Sequence, residues 1–105
     1  MKLIINTSNL SLTQKIKDLA HKHLAQKLDK YLTKFGQEIK VARLAIKKDS
    51  RWGFSANLRL GLPQRGEIFA KTRGESLLKI LIEIRDQAER QIKEYKEKQI
   101  NTRRN

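Results

Sequence analysis

From residue 52 to residue 62 the sequence reads Trp-Gly-Phe-Ser-Ala-Asn-Leu-Arg-Leu-Gly-Leu. Every even position is apolar, and every odd position is Gly, Ser, Asn or Arg. Successive side chains of a strand point to opposite faces, so this segment buries one face and shows water the other. Such a strand needs partner strands beside it and one covering layer, which points to a sheet with its remaining elements stacked on a single side. Arg59 then lies on the open face.

The rest of the chain supplies those elements. Leu3-Ile4-Ile5 is a short β-rich run, closed by Asn6-Thr7-Ser8-Asn9. Ser11 followed by Gln14 fits a capping box, which predicts a helix from near Leu12 to Lys34 or Phe35, stopped by Gly36. Ile39 to Lys48 reads as an interior strand with apolar residues on both faces. Lys48-Asp49-Ser50-Arg51 and Pro63-Gln64-Arg65-Gly66 are turns on either side of the alternating strand. Glu67 to Arg73 is a fourth strand, Gly74 a break, and Glu75 to Lys98 a long last helix. The sequence thus predicts an α+β, two-layer β-α-β-β-β-α domain: a four-stranded mixed sheet with two helices on one face, similar to double-stranded RNA-binding domains. One domain is expected over residues 1–98, with 99–105 a basic, flexible tail.

Both helices carry apolar stripes. In the last one Leu77, Leu81, Ile84, Ala88, Ile92 and Tyr95 share one side, while Leu78, Ile80 and Ile82 lie off it and cover either the junction with the first helix or a partner. In the first helix Leu12, Ile16, Leu19, Ala20 and His23 cluster in one direction and Leu24, Leu28, Tyr31, Leu32 and Phe35 in another, rotated by about one residue's worth. One extra residue absorbed as a single-turn π-bulge between about Lys22 and Lys27 would produce that rotation.

No catalytic constellation can be assembled. His21 and His23 project about 160° apart on a helix and cannot share a metal, and the chain has no cysteine. The five glycines are scattered and form no phosphate-cradling loop. No catalytic residue, metal or cofactor is expected. The opening residues offer only three consecutive apolar positions, and no run approaches the ~20 residues of a membrane span, so a cytoplasmic location and no membrane partner are expected.

What remains is charge. Lys and Arg number 24 against 11 Asp and Glu, a net +13 that favours polyanionic partners. Alternation places Arg59 with Lys71 and Arg73 on the open face if the hairpin register is regular. Phe69 is a candidate for base stacking. These residues predict binding to nucleic-acid backbone, with Arg59 meeting either phosphate or water alone. Lys2 falls outside this cluster.

The sequence also resembles the ribosome hibernation-promoting factors, the group of the ribosome-associated inhibitor and sigma-54 modulation proteins. The likeness is carried by Lys2-Leu3-Ile4-Ile5 with Asn9-Leu10-Ser11-Leu12-Thr13, by Lys27-Leu28-Asp29-Lys30-Tyr31-Leu32, and by Asp86 with Arg90-Gln91-Ile92 and the lysines that follow. It departs at Glu75 to Leu81, which lacks the family's Tyr and Asp, and at Gln87, where the family has lysine; a family lysine stands one place early at Lys93. The resemblance implies binding to the rRNA of the small ribosomal subunit at the decoding region, blocking mRNA and tRNA in starved or stationary cells. By matched position Lys27, Lys30, Arg90, Lys96 and Lys98 would contact rRNA, with Lys93, one place early, added to the candidates beside Arg59, Lys71 and Arg73 from the charge pattern. It further implies a short form, monomeric off the ribosome, that would need a separate factor to pair ribosomes. A free-standing double-stranded RNA-binding module and a protein-interaction domain built on Leu78, Ile80 and Ile82 stay open as alternatives.

Overall fold

The computed structural model describes residues 2–34, 41–49, 53–61 and 67–104, with side chains placed at all of them except 34 and 98–104. Four strands, β1 (Lys2–Ser8), β2 (Val41–Lys48), β3 (Phe54–Gly61) and β4 (Glu67–Gly74), lie side by side in chain order. β1 is parallel to β2, and β2, β3 and β4 are antiparallel neighbours. Between β1 and β2 come α1 (Gln14–Ala20), a π-helical turn (His21–Ala25) and α2 (Gln26–Lys34), one continuous helix; α3 (Leu77–Arg104) follows β4. This is the predicted α+β frame.

The helices cover one face of the sheet only. Leu44 and Ile46 of β2, Leu58 and Leu60 of β3 and Ile68 of β4 are buried against Leu24, Leu28, Leu81, Ile84 and Ile92. Each such side chain contributes about 1.5–3 kcal/mol of hydrophobic stabilisation. Ile80 is also buried at 1%, whereas Leu78 is 38% exposed and Ile82 half-buried, so the three do not make one contact surface.

Several local expectations change. The first helix begins at Gln14 rather than Leu12: β1 extends to Ser8, Asn9 turns the chain with φ +61°, and Thr13 is the hydroxyl left to cap, its Oγ1 accepting from the Ile16 N–H at 3.2 Å. The Gln14 side chain donates forward to Asp18 at 2.9 Å and forms no capping box. β2 carries apolar residues on both faces, as expected, but only one face is covered, because only one helical layer exists: Ala42, Leu44 and Ile46 are buried, whereas Val41 stands exposed with Arg43 and Lys47 on the open face beside half-buried Ala45. Gly53, read as part of the alternating strand, bends into β3 with φ +80°, and a Cβ there would run into the Gly74 carbonyl. α3 starts at Leu77, after Ser76 accepts from the Lys79 N–H, and passes through 99–104 where a tail was expected, since no Gly or Pro interrupts it. The rotation in the first helix is present as the π-turn, where the Gln26 N–H reaches the His21 carbonyl, five residues back. The Gly36 stop, the Pro63–Gly66 turn, and Phe35, Ile39, Trp52 and Leu62 lie outside the described residues.

Candidate nucleic-acid interface

The register of the sheet assembles the open face row by row. One row is Ile4, Arg43, Arg59 and Phe69; the next is Asn6, Ala45, Asn57 and Lys71; the third is Ser8, Lys47, Ser55 and Arg73. At the opposite end Lys2 pairs with Val41, and Gly61 with Glu67. Among the described residues the face therefore carries six cations, Lys2, Arg43, Lys47, Arg59, Lys71 and Arg73, and one carboxylate, Glu67.

Arg59, Lys71 and Arg73 do share this face, but Arg59 stands directly opposite Phe69, with Lys71 opposite Asn57 and Arg73 opposite Ser55. The Arg59 guanidinium lies over the Phe69 ring, 5.2 Å from its centroid, and Phe69 stays 39% exposed. On the other side Arg59 faces Arg43. Like charges placed opposite each other on a sheet destabilise it by roughly 0.2–1 kcal/mol, so stability alone does not account for this pair. Arg43, Lys47 and Lys2 were missed from sequence because β2 was read as two-sided and Lys2 as a bystander. The signal was the period-two pattern of Arg43, Ala45 and Lys47.

The edge strand β4 is clasped by α3. Gln91 Nε2 donates to the Phe69 carbonyl at 2.8 Å, and its Oε1 accepts from the Phe69 N–H at 3.2 Å. Gln87 repeats the pattern on Lys71, donating at 3.0 Å and accepting at 3.3 Å. One turn earlier Glu83 Oε2 accepts from Thr72 Oγ1 at 2.7 Å. These backbone groups are the ones an added strand would pair with, so α3 closes that edge. Because Phe69 spends its backbone groups on Gln91, the Arg59–Phe69 pair is of the non-hydrogen-bonded kind, in which side chains approach most closely. Gln87, which stands where the resemblance puts a lysine, thus seals backbone here.

The helical candidates sit on the other layer and do not form one cluster. Lys27, Lys30, Arg90 and Lys93 are exposed and Lys96 half-buried; the side chain of Lys98 lies outside the described residues. At ~100° per residue, Lys96 falls on the flank of α3 that carries Arg85 and Glu89, whereas Arg90 falls on the flank of Glu83 and Gln87, facing β4. Lys27 of α2 acts electrostatically on Glu89, so Lys27 and Lys96 share a flank. That flank mixes signs: burial pushes the Glu89 carboxyl above its ordinary value, and Arg85 and Lys27 pull it back. Arg85 is itself bonded to Asp86 at 3.2 Å. The open sheet face is the more uniformly positive surface.

Among the described residues no group of three or more His, Cys, Asp or Glu is placed to hold a metal, and no helix is long and apolar enough to cross a membrane. The sequence matches the family described as Sigma 54 modulation protein / S30EA ribosomal protein over residues 3–100. The fold is similar to the crystal structure of the Thermus thermophilus Protein Y N-terminal domain, with a TM-score of 0.73 at 21% identity, covering 90% of this chain and 99% of that one. Comparison with curated proteins gives no match.

Proposed function

The chain belongs to the Sigma 54 modulation protein / S30EA ribosomal protein family, and from that premise we propose that it is a ribosome hibernation factor. It binds the small subunit at the decoding region through its basic residues and keeps mRNA and tRNA out during starvation or stationary phase. Inhibition on this reading is occupancy; no bond is made or broken and no cofactor takes part. It acts in the cytoplasm and is monomeric when off the ribosome.

The observation that carries the reading is the open sheet face, with six cations against one carboxylate on a member of this family. Phosphate neutralisation needs cations gathered on one surface, and this face gathers them where no helix covers it. Lys27, Lys30, Lys93, Lys96 and Lys98, with Arg90, supply a second set of contacts from the helical layer. Arg59, Lys71 and Arg73 act from the sheet, joined by Arg43 and Lys47.

Sedimentation with purified small subunits tests this. The protein should co-migrate with the particle and be displaced by mRNA with initiator tRNA. Co-migration only with free duplex RNA would favour the double-stranded RNA-binding alternative, and migration with neither would end the ribosomal reading.

A further inference from the structure

We infer that the open face of the sheet binds a short run of unpaired RNA, one base stacking on the Arg59–Phe69 pair and its neighbour entering a hollow beside it. The inference deepens the ribosomal reading by naming the form of RNA that this face takes.

The hollow is a shallow depression of about 540 Å³ over β2, β3 and β4, towards the end of the sheet marked by Ser8 and Arg73. Its lining includes the small side chains Ala45, Ser55 and Asn57, and Lys47, Lys71 and Arg73 stand around it. Ala45 and Asn57 face each other across β2 and β3 with nothing large between them, which is why a depression exists there. Asn57 and Ser55 offer the donors and acceptors that read a base edge, and the three cations suit the phosphates on either side of it. The row of Phe69 and the row of Lys71 are two residues apart along β4, hence ~7 Å, so the stacking platform and the hollow are adjacent.

The platform itself selects unpaired bases. Phe69 is the one aromatic among the described residues of this face, where Ile4 and Val41 are the other large apolar side chains, and the guanidinium over its ring offers a second plane on which a base can stack. Aromatic rings and arginine planes stack on bases that have been splayed out, whereas a duplex presents backbone and groove edges and keeps its bases stacked inside. A phosphate-only surface would have no use for an exposed phenylalanine. Four strands span only ~14 Å across the sheet, room for a few nucleotides. Arg43 opposite Arg59 places two cations where the strand's backbone would pass, and the bound phosphate relieves a repulsion that the free protein carries.

The test uses the intact protein with a short labelled oligoadenylate, a blunt RNA duplex of equal length and adenosine monophosphate. The oligoadenylate should bind most tightly. Phe69→Ala should weaken it about 5- to 150-fold, the range expected for loss of one stacked base, while Phe69→Tyr should retain it. Phe69 is exposed, so these variants should keep the parent's circular dichroism. Equal affinity for the duplex with no effect of Phe69→Ala would overturn the inference, as would adenosine monophosphate binding as tightly as the strand. No strand binding by a protein that still co-sediments with small subunits would overturn this inference alone. Strand binding without co-sedimentation would overturn the ribosomal reading alone.

Discussion

The carboxamide of Gln91 is complementary to one peptide unit of the β4 edge: its oxygen takes the Phe69 N–H and its amide reaches the Phe69 carbonyl. Each bond contributes a net ~0.5–1.5 kcal/mol, so Gln91→Ala should cost about 1–3 kcal/mol in urea denaturation and speed exchange of the Phe69 amide. Unchanged stability and exchange would show that water serves that edge equally well. Nothing in the sequence marked this role, since a glutamine on a helix reads as solvated and its partner lies 22 residues away. The alternation of β3, by contrast, was legible: Leu58 is fully buried, and Asn57 faces the other way. Leu58→Ala should therefore cost about 2–5 kcal/mol, and Asn57→Ala under about 1 kcal/mol, by the same measurement. Glu89 is the residue where pH enters. Burial raises its carboxyl above the ordinary 4.5, with Asp86 adding to the rise and Arg85 and Lys27 opposing it. The folded state then holds that proton more tightly than the unfolded chain, so its contribution to stability falls as pH rises from about 4.5 through the raised value. Glu89→Gln should flatten that slope; an unaltered pH profile would assign it to other carboxylates.

In the first helix the core-cluster residues Ile16, Ala20, Leu24, Leu28 and Leu32 recur every four positions, with Ala25 buried beside them. A regular α-helix advances ~400° over four residues, so four such steps would carry the stripe ~160° around the axis. The π-turn at His21–Ala25 takes back about one residue's worth, ~100°, and keeps all five on the core. The sequence showed this as two rotated clusters, because spacing alone reports where a face drifts. It misjudged the helix start, because Ser11 and Thr13 are both able caps and only the length of β1 chooses between them. Removing one residue converts the repeat to four, four, three, four, which an uninterrupted α-helix can keep on one side. Deleting exposed Gln26 should therefore be neutral or stabilise the fold by up to about 1 kcal/mol, with the π-turn lost. A loss above about 2 kcal/mol on thermal unfolding would mean that the π-turn itself makes contacts the core requires.

At the scale of the whole molecule, the two basic sets lie on opposite layers, and salt dependence can tell which of them an RNA meets. Net charge pointed to a polyanionic partner, but the layer assignment needed the register, which places Arg43, Arg59, Lys47 and Arg73 on one surface. Binding to single-stranded nucleic acid weakens with a log–log slope of ~0.7 per neutralised phosphate, so six sheet cations engaging at once would give a slope of about −4. Lys47→Ala, Lys71→Ala and Arg73→Ala combined should flatten the slope for an oligonucleotide by about 2, whereas Lys27→Ala, Lys30→Ala and Lys96→Ala combined should leave it unchanged. Lys2 cannot serve as an inert control here, because it stands on the same open face. On the small subunit the expectation differs. A particle that surrounds the protein with RNA would engage both layers, so each triple should lower the slope and the two losses should add. If the helical triple bound small subunits like the parent, the helical contacts implied by the family resemblance would fail while the sheet face stood. If only the sheet triple bound like the parent, the protein would be held by its helices, and the open face would serve only free strands.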